Sequence, residues 1–188
     1  NYRWVIALFP NFQKGTAYLQ ELAQSGLKPG VVRLSDANET MLYSKMSASH
    51  GKGLMNDMKK EIQKLVLQWK NLDKPCVCMM RFPQSEISVS NQVVYAKDLV
   101  EKYSGMLAPT SDGDKWADSR FTLPYLRDTL VEHRVYIDTM ETLVHWKDIP
   151  KLHQALTIAL NKSVAFNKTK GMFLAHLSHI YPAYACIY

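Results

Sequence analysis

Short runs of apolar and β-branched residues alternate with stretches of helical periodicity from one end of this chain to the other. That alternation restricts the fold to a sheet with helices packed on it. The opening run, RWVIALFP (3–10), is a buried type of strand that Pro10 closes. GTAYLQELAQSG (15–26) follows, with Tyr18, Leu19, Leu22 and Ala23 on one helical face and Gly26 as a stop signal. Further strands are predicted in GVVRLSD (30–36), PCVCMMRF (75–82), GMLAP (105–109), VYIDTMETLVHW (135–146), MFLAHLSHIYP (172–182) and YACIY (184–188). Helices are predicted in ANETMLYSKM (37–46), over 53–70 and over 87–103. Two more are predicted from Thr122, with Pro124 in its first turn, and in DIPKLHQALTIAL (148–160), with Asp148 as its cap. ASHGKG, TSDGDKWADSR and NKSVAFNKTKG read as loops. The expected fold class is therefore α+β, one domain whose mixed or antiparallel sheet is covered by helices. Strand order is not encoded in such patterns.

The chain has 188 residues, 47% of them hydrophobic, enough for one domain with a sizeable core. No run approaches the roughly 20 apolar residues that span a bilayer. The N-terminal NYRWVIALFPNF lacks the basic start, long apolar core and cleavage site of a signal peptide. A net charge of +6 suits an anionic small molecule, a membrane surface or nucleic acid. The lysines are scattered rather than striped or interleaved with aromatics, so nucleic-acid binding is not expected. The three cysteines, Cys76, Cys78 and Cys186, are too few and too odd in number for a disulfide framework. A reducing compartment follows, cytoplasmic or peripheral to a membrane, and organellar in a eukaryote.

Reactive-looking residues cluster in HLSHIYPAYACIY (176–188). On a strand, His176 and His179 point to opposite faces unless a bulge intervenes, so no metal is expected there. Cys76 and Cys78 share one strand face and read as small core residues. The chain contains no Gly-x-Gly-x-x-Gly, Walker loop or Gly-x-Ser-x-Gly. Two arginines are more informative. Strand alternation puts Arg33 on a face with Val31 and Ser35, where its guanidinium must find an anionic partner or a wet cavity. Arg127 borders the Leu123, Leu126 and Leu130 stripe, with Asp128, Glu132 or Asp138 as candidate ion-pair partners. Both suit capture of a carboxylate or phosphate, which the planar guanidinium fork matches bidentately.

Three segments in order carry a resemblance: LFPNFQKGTAYLQELAQSGLKPGVVRLSDANET (8–40), FTLPYLRDTLVEHRVYIDTMETLVHWKDIPKL (121–152) and HLSHIYPAYACIY. Together they resemble the C-terminal, substrate-binding cap of FAD-linked oxidases. This flavoprotein group includes glycolate oxidase and D-lactate dehydrogenase subunits, vanillyl-alcohol oxidase and alkyldihydroxyacetonephosphate synthase. The arginine of RLSD, with PYLRD and ACIY, is most similar to the synthase branch. The resemblance implies that Arg33 and Arg127 face the substrate and that Tyr188 is the catalytic acid/base. It also implies that Thr139 stands where the synthase has a serine. The family's FAD-binding domain and downstream histidine cluster have no counterpart in these residues. A truncated cap is therefore expected, with FAD a cofactor of the parent protein and not bound by this piece alone.

The activity that the resemblance implies is exchange of acyl for alkyl on dihydroxyacetone phosphate. FAD-dependent oxidation of a small 2-hydroxy acid and a non-enzymatic partner-binding module are the alternatives. Expected partners are a small anionic substrate, phosphate or carboxylate, and the FAD-binding domain of the same protein. Peripheral membrane contact and a homodimeric parent are compatible with this reading.

Overall fold

The computed structural model describes residues 2–49, 74–83, 89–110, 113–114, 117 and 125–188. Strand β1 (Tyr2–Phe9) is flanked on both sides. β3 (Cys76–Pro83) runs antiparallel along it from Tyr2 opposite Pro83 to Phe9 opposite Cys76, and β4 (Met106–Ala108) pairs on the other edge. Val5 through Phe9 are all buried, which is why this strand is apolar without alternation. β2 (Val31–Ser35), β5 (Thr142–His145), β6 (His176–Ile180) and β7 (Tyr184–Ile187) complete a seven-stranded sheet in the order β4-β1-β3-β2-β6-β7-β5. All of its pairings are antiparallel.

β2 is the middle strand and alternates as its sequence predicts. Val32 and Leu34 are buried, while Arg33 points to the other side. The Leu34 face receives α1 (Phe12–Gln24) and α3 (Val89–Lys102). Asn11 caps α1 by accepting the Lys14 N–H at 2.9 Å, and the chain leaves the helix through Gly26 at φ 81°. Gly15 lets α1 lie close to the sheet, since a Cβ there would sit 2.6 Å from Leu34 Cδ1. Cys76 and Cys78 face the same core with Met80 and Phe82. Burial pushes both thiols up, Cys76 to about 12, so they behave as small apolar residues.

Several sequence expectations need correction. The strand predicted over 135–146 is only Thr142–His145. β5 lies at the sheet edge on the four residues of β7, so among the described residues Val135, Tyr136, Ile137 and Met140 have no strand to pair with, and they are exposed. The loop predicted over 161–171 starts late, because NKSVAF contains no breaker and α5 runs from Ile149 to Phe166. Asp148 makes no side-chain cap bond; it ends a 3₁₀ turn, Trp146–Asp148, that leads directly into α5. α2 extends to Ser49 (Ala37–Ser49), and α4 covers Leu126–Glu132. The predicted helix over 53–70 and the cap at Thr122 lie outside the described residues. Among the described residues no helix is long and apolar enough to cross a membrane.

The two halves of the sheet meet along a narrow join. β2 and β6 pair only Leu34 with Leu177 and Ser35 with His176. Beyond that they part, leaving a cleft of 340 Å³ lined by residues 29–32 and 178–181.

Candidate functional site

The chain that leaves β2 enters α2 through D-A-N-E (36–39), the pattern of a helix N-terminal capping box. Half of the box forms: Asp36 Oδ1 accepts the Glu39 N–H at 2.8 Å. The return arm does not, because the Asp36 N–H donates to the Ala175 carbonyl at 2.8 Å. Glu39 is thereby released to reach back to the strand. Arg33 Nη2 donates to Glu39 Oε1 at 2.7 Å and to the Tyr43 hydroxyl at 3.3 Å. The His176 Nδ1 lies 3.1 Å from Arg33 Nη2 and 3.0 Å from Glu39 Oε1. With a hydrogen it donates to Glu39; without one it accepts from Arg33. The anionic partner that the central-strand arginine required is therefore Glu39, one turn into the next helix.

Burial works to raise the Glu39 carboxyl, but the His176 hydrogen bond and the charges of Arg33 and His176 outweigh it and hold it below the ordinary value. A carboxylate lowered in the fold contributes stability that is full above its unfolded value of about 4.3 and lost as pH falls through the folded one. Urea-unfolding stability is expected to drop below about pH 4, and Glu39→Gln should flatten that slope. An acid slope equal to wild type in the variant would disprove the linkage.

On the other side of the join, the sheet carries a β-bulge. Leu177 pairs with Ile187, but His179 pairs with Cys186, leaving Ser178 as the extra residue. His176 exchanges both backbone hydrogen bonds with Tyr188, at 3.0 and 3.3 Å. A bulge adds one residue to the strand and so reverses its facing beyond that point. The expectation that His176 and His179 face opposite ways is therefore corrected: both lie beside Tyr188. His176 stacks on the Tyr188 ring at 4.9 Å between centroids and 3° between planes. His179 Nδ1 is 3.1 Å from the Tyr188 hydroxyl oxygen. The hydroxyl donates to Glu141 Oε1 at 2.6 Å. Its single hydrogen is then committed, so His179 Nδ1 must present a hydrogen to the same oxygen.

Burial raises the Tyr188 phenol above its ordinary value, and the hydrogen bond to Glu141 raises it further. Arg33 touches His176, whose ring stacks on that of Tyr188. Among the described residues, Arg127 is exposed on α4 and makes no hydrogen bond or ion pair to this cluster. Thr139 is also exposed, its N–H bonded to Asp138 Oδ1 at 2.9 Å. The structure therefore brings Arg33 and Tyr188 together through His176, and not Arg127 or Thr139. Glu39, His176, His179 and Glu141 are additions. His176 and His179 stood out in HLSHIYPAYACIY, and Glu39 had a signal in the D-A-N-E pattern after an arginine strand; Glu141 had none. The donor atoms of Glu141, His179 and Cys186 lie within 4.8 Å of one another, a set of types able to ligate a divalent cation.

The fold and this cluster meet a direct comparison. The family model for FAD linked oxidases, C-terminal domain, matches residues 1–188. The chain belongs to this family. Alkyldihydroxyacetonephosphate synthases of Dictyostelium discoideum and Trypanosoma brucei brucei are 26% and 25% identical to this FAD-linked oxidase C-terminal domain, each over 96% of the chain. The Caenorhabditis elegans synthase is 23% identical over the same share. The domain spans 30% of the length of the first two relatives and 31% of the third. Solved structures of alkyldihydroxyacetonephosphate synthase in P1 and in P212121 match it with TM-scores of 0.79 and 0.83 at 23% and 24% identity. They cover 100% of this chain and 35% and 34% of their own, and at that identity they establish the fold.

The family implies FAD. Among the described residues of this domain, no glycine-rich turn opens a helix towards a cleft, as a dinucleotide pyrophosphate requires. The cleft between β2 and β6 is lined by no arginine or lysine. The described residues do not by themselves fit a dinucleotide. What they offer is the Tyr188 phenol, held between Glu141 and His179 on the sheet face turned away from α1 and α3.

Proposed function

We propose that this domain is the substrate-binding cap of an FAD-dependent enzyme of the alkyldihydroxyacetonephosphate synthase type, which exchanges acyl for alkyl on dihydroxyacetone phosphate. FAD is held by another part of the same protein. The observation that carries the proposal is the Tyr188 hydroxyl gripped between Glu141 and His179, one stacked imidazole away from the Arg33 guanidinium. A phenol in such a setting is a proton-transfer group, and the neighbouring guanidinium suits a phosphate. Glu39 and Tyr43 fix that guanidinium in place before substrate arrives, which lowers the cost of ordering it. The relatives' name supplies the reaction type.

The test uses the full-length protein loaded with FAD and supplied anaerobically with acyl-dihydroxyacetone phosphate and a fatty alcohol, or with D-lactate. Alkyl exchange with the first substrate and none with the second is expected. Tyr188→Phe should lower turnover by about 10²–10⁴-fold, the usual size of a general acid–base contribution. Oxidation of D-lactate without alkyl exchange would replace the synthase reading by an oxidase one. A Tyr188→Phe variant as fast as wild type would remove Tyr188 from the mechanism.

A further inference from the structure

We propose that Glu141 is the final acceptor of the proton that leaves the substrate, so that Tyr188 works as a neutral relay and not as a standing phenolate. The inference rests on Tyr188 being the proton-transfer group, as set out under Proposed function.

Position comes first. Thr142 pairs with Ile187 at the start of β5, so the preceding residue, Glu141, falls opposite Tyr188. The carboxylate is brought there by the same ladder that holds β7, and the 2.6 Å bond from the phenol is the result. The sheet also supplies the groups around it: Cys186 and Tyr188 from β7 and His179 from β6 are the titratable side chains that face Glu141 among the described residues. No lysine or arginine is among them.

Burial and the Glu141 carboxylate favour the protonated phenol and outweigh the Ser178 hydrogen bond, which favours the phenolate. A tyrosine kept protonated cannot accept a second proton unless it sheds the first, and the short bond to Glu141 gives it somewhere to go. In one step, the substrate–hydrogen bond breaks with its electron pair staying on the substrate, and a new O–H bond forms at Tyr188 Oη. The original phenolic O–H bond breaks, and its proton bonds to Glu141 Oε1. Tyr188 is neutral before and after, and one negative charge moves from the carboxylate to the substrate. His179 Nδ1 and the Ser178 hydroxyl both hydrogen-bond to Oη, so the Ser178 hydroxyl must turn away to free a lone pair for the incoming proton. Returning the proton to product reverses the path.

Glu141 acts through Tyr188, so its test needs a readout that a merely structural role would leave unchanged. In the FAD-loaded full-length protein, Glu141→Gln keeps a hydrogen-bond acceptor beside the phenol but cannot take up a proton. Its kcat is expected to fall by about 10²–10⁴-fold with little change in KM. The rise of kcat on the acid side of the pH profile should vanish with it, and Glu141→Asp should restore part of both. By ¹³C NMR of labelled tyrosine, Tyr188 should titrate at a lower pH in Glu141→Gln than in wild type. If Glu141→Gln turns over like wild type while Tyr188→Phe is impaired, the relay is wrong and the role of Tyr188 stands. If Tyr188→Phe is unimpaired, both fall.

Discussion

Glu39→Ala is expected to destabilise the protein by about 3–5 kcal/mol, the cost of leaving one member of a buried ion pair without its partner. Arg33 and Glu39 are only 15% and 6% exposed at their side chains, so water cannot take over the lost contact. The Tyr43 hydroxyl and the His176 ring remain near the guanidinium, but neither is anionic. In urea the midpoint should fall by roughly 1–3 M for a chain of this size. The second half of the test removes both charges. Arg33→Met with Glu39→Leu should recover most of the loss, because a buried pair replaced by apolar groups of similar volume is often neutral. A loss below 1 kcal/mol in the single variant would mean that the pair is far more hydrated than its burial implies.

Phe9→Ala should cost a similar amount, about 3–5 kcal/mol, by a different route. Phe9 is fully buried at the end of β1, with its ring 4.8 Å from that of Tyr18. It also fills the space above Gly105, where a Cβ would lie 2.6 Å from Phe9 Cε1. Removing the ring leaves a cavity that these neighbours cannot collapse into while held by the sheet and α1. The geometry predicts coupling as well as loss. Gly105→Ala should be destabilising in the wild-type background and less so beside Phe9→Ala, where the added methyl loses its clash with the ring and keeps only the one with Val100 Cγ1 at 2.8 Å. Additive effects in that double-mutant cycle would show that the two sites do not share the space.

How much of this was legible in the sequence depended on range. The strands around Val5, Val32 and Cys78 and the helix face of Tyr18, Leu19 and Leu22 follow from local periodicity, and all are in place. Arg33 was legible as a problem, a charge on a central strand, and the fold answers it with Glu39. What could not be read were the facts that depend on pairing. One extra residue at Ser178 decides which way His179 faces, and nothing in HLSHI marks it. Glu141 gains its place only because β5 lies against β7, a neighbour relation that periodicity does not contain. The exposed apolar residues at 135–140 misled for the complementary reason: their composition suits a strand, but among the described residues no partner strand lies alongside them. Arg127 was suggested by its place beside a leucine stripe and by resemblance, Thr139 by resemblance alone, and their exposed positions give no further support.

The narrow join between β2 and β6 also bears on how the protein is made. Strands β1, β2 and β3 all lie within the first 83 residues, and so does Glu39. The N-terminal half of the sheet can therefore close during synthesis while β5, β6 and β7 are still to be translated. Two residue pairs then attach the later half. A nascent chain stalled before β6 would already hold Arg33 against Glu39 but have no imidazole or phenol beside it. The cluster around Tyr188 is thus completed only by strands translated after β1, β2 and β3, and a chain stopped before β6 would hold the Arg33–Glu39 pair without His176, His179 or Tyr188.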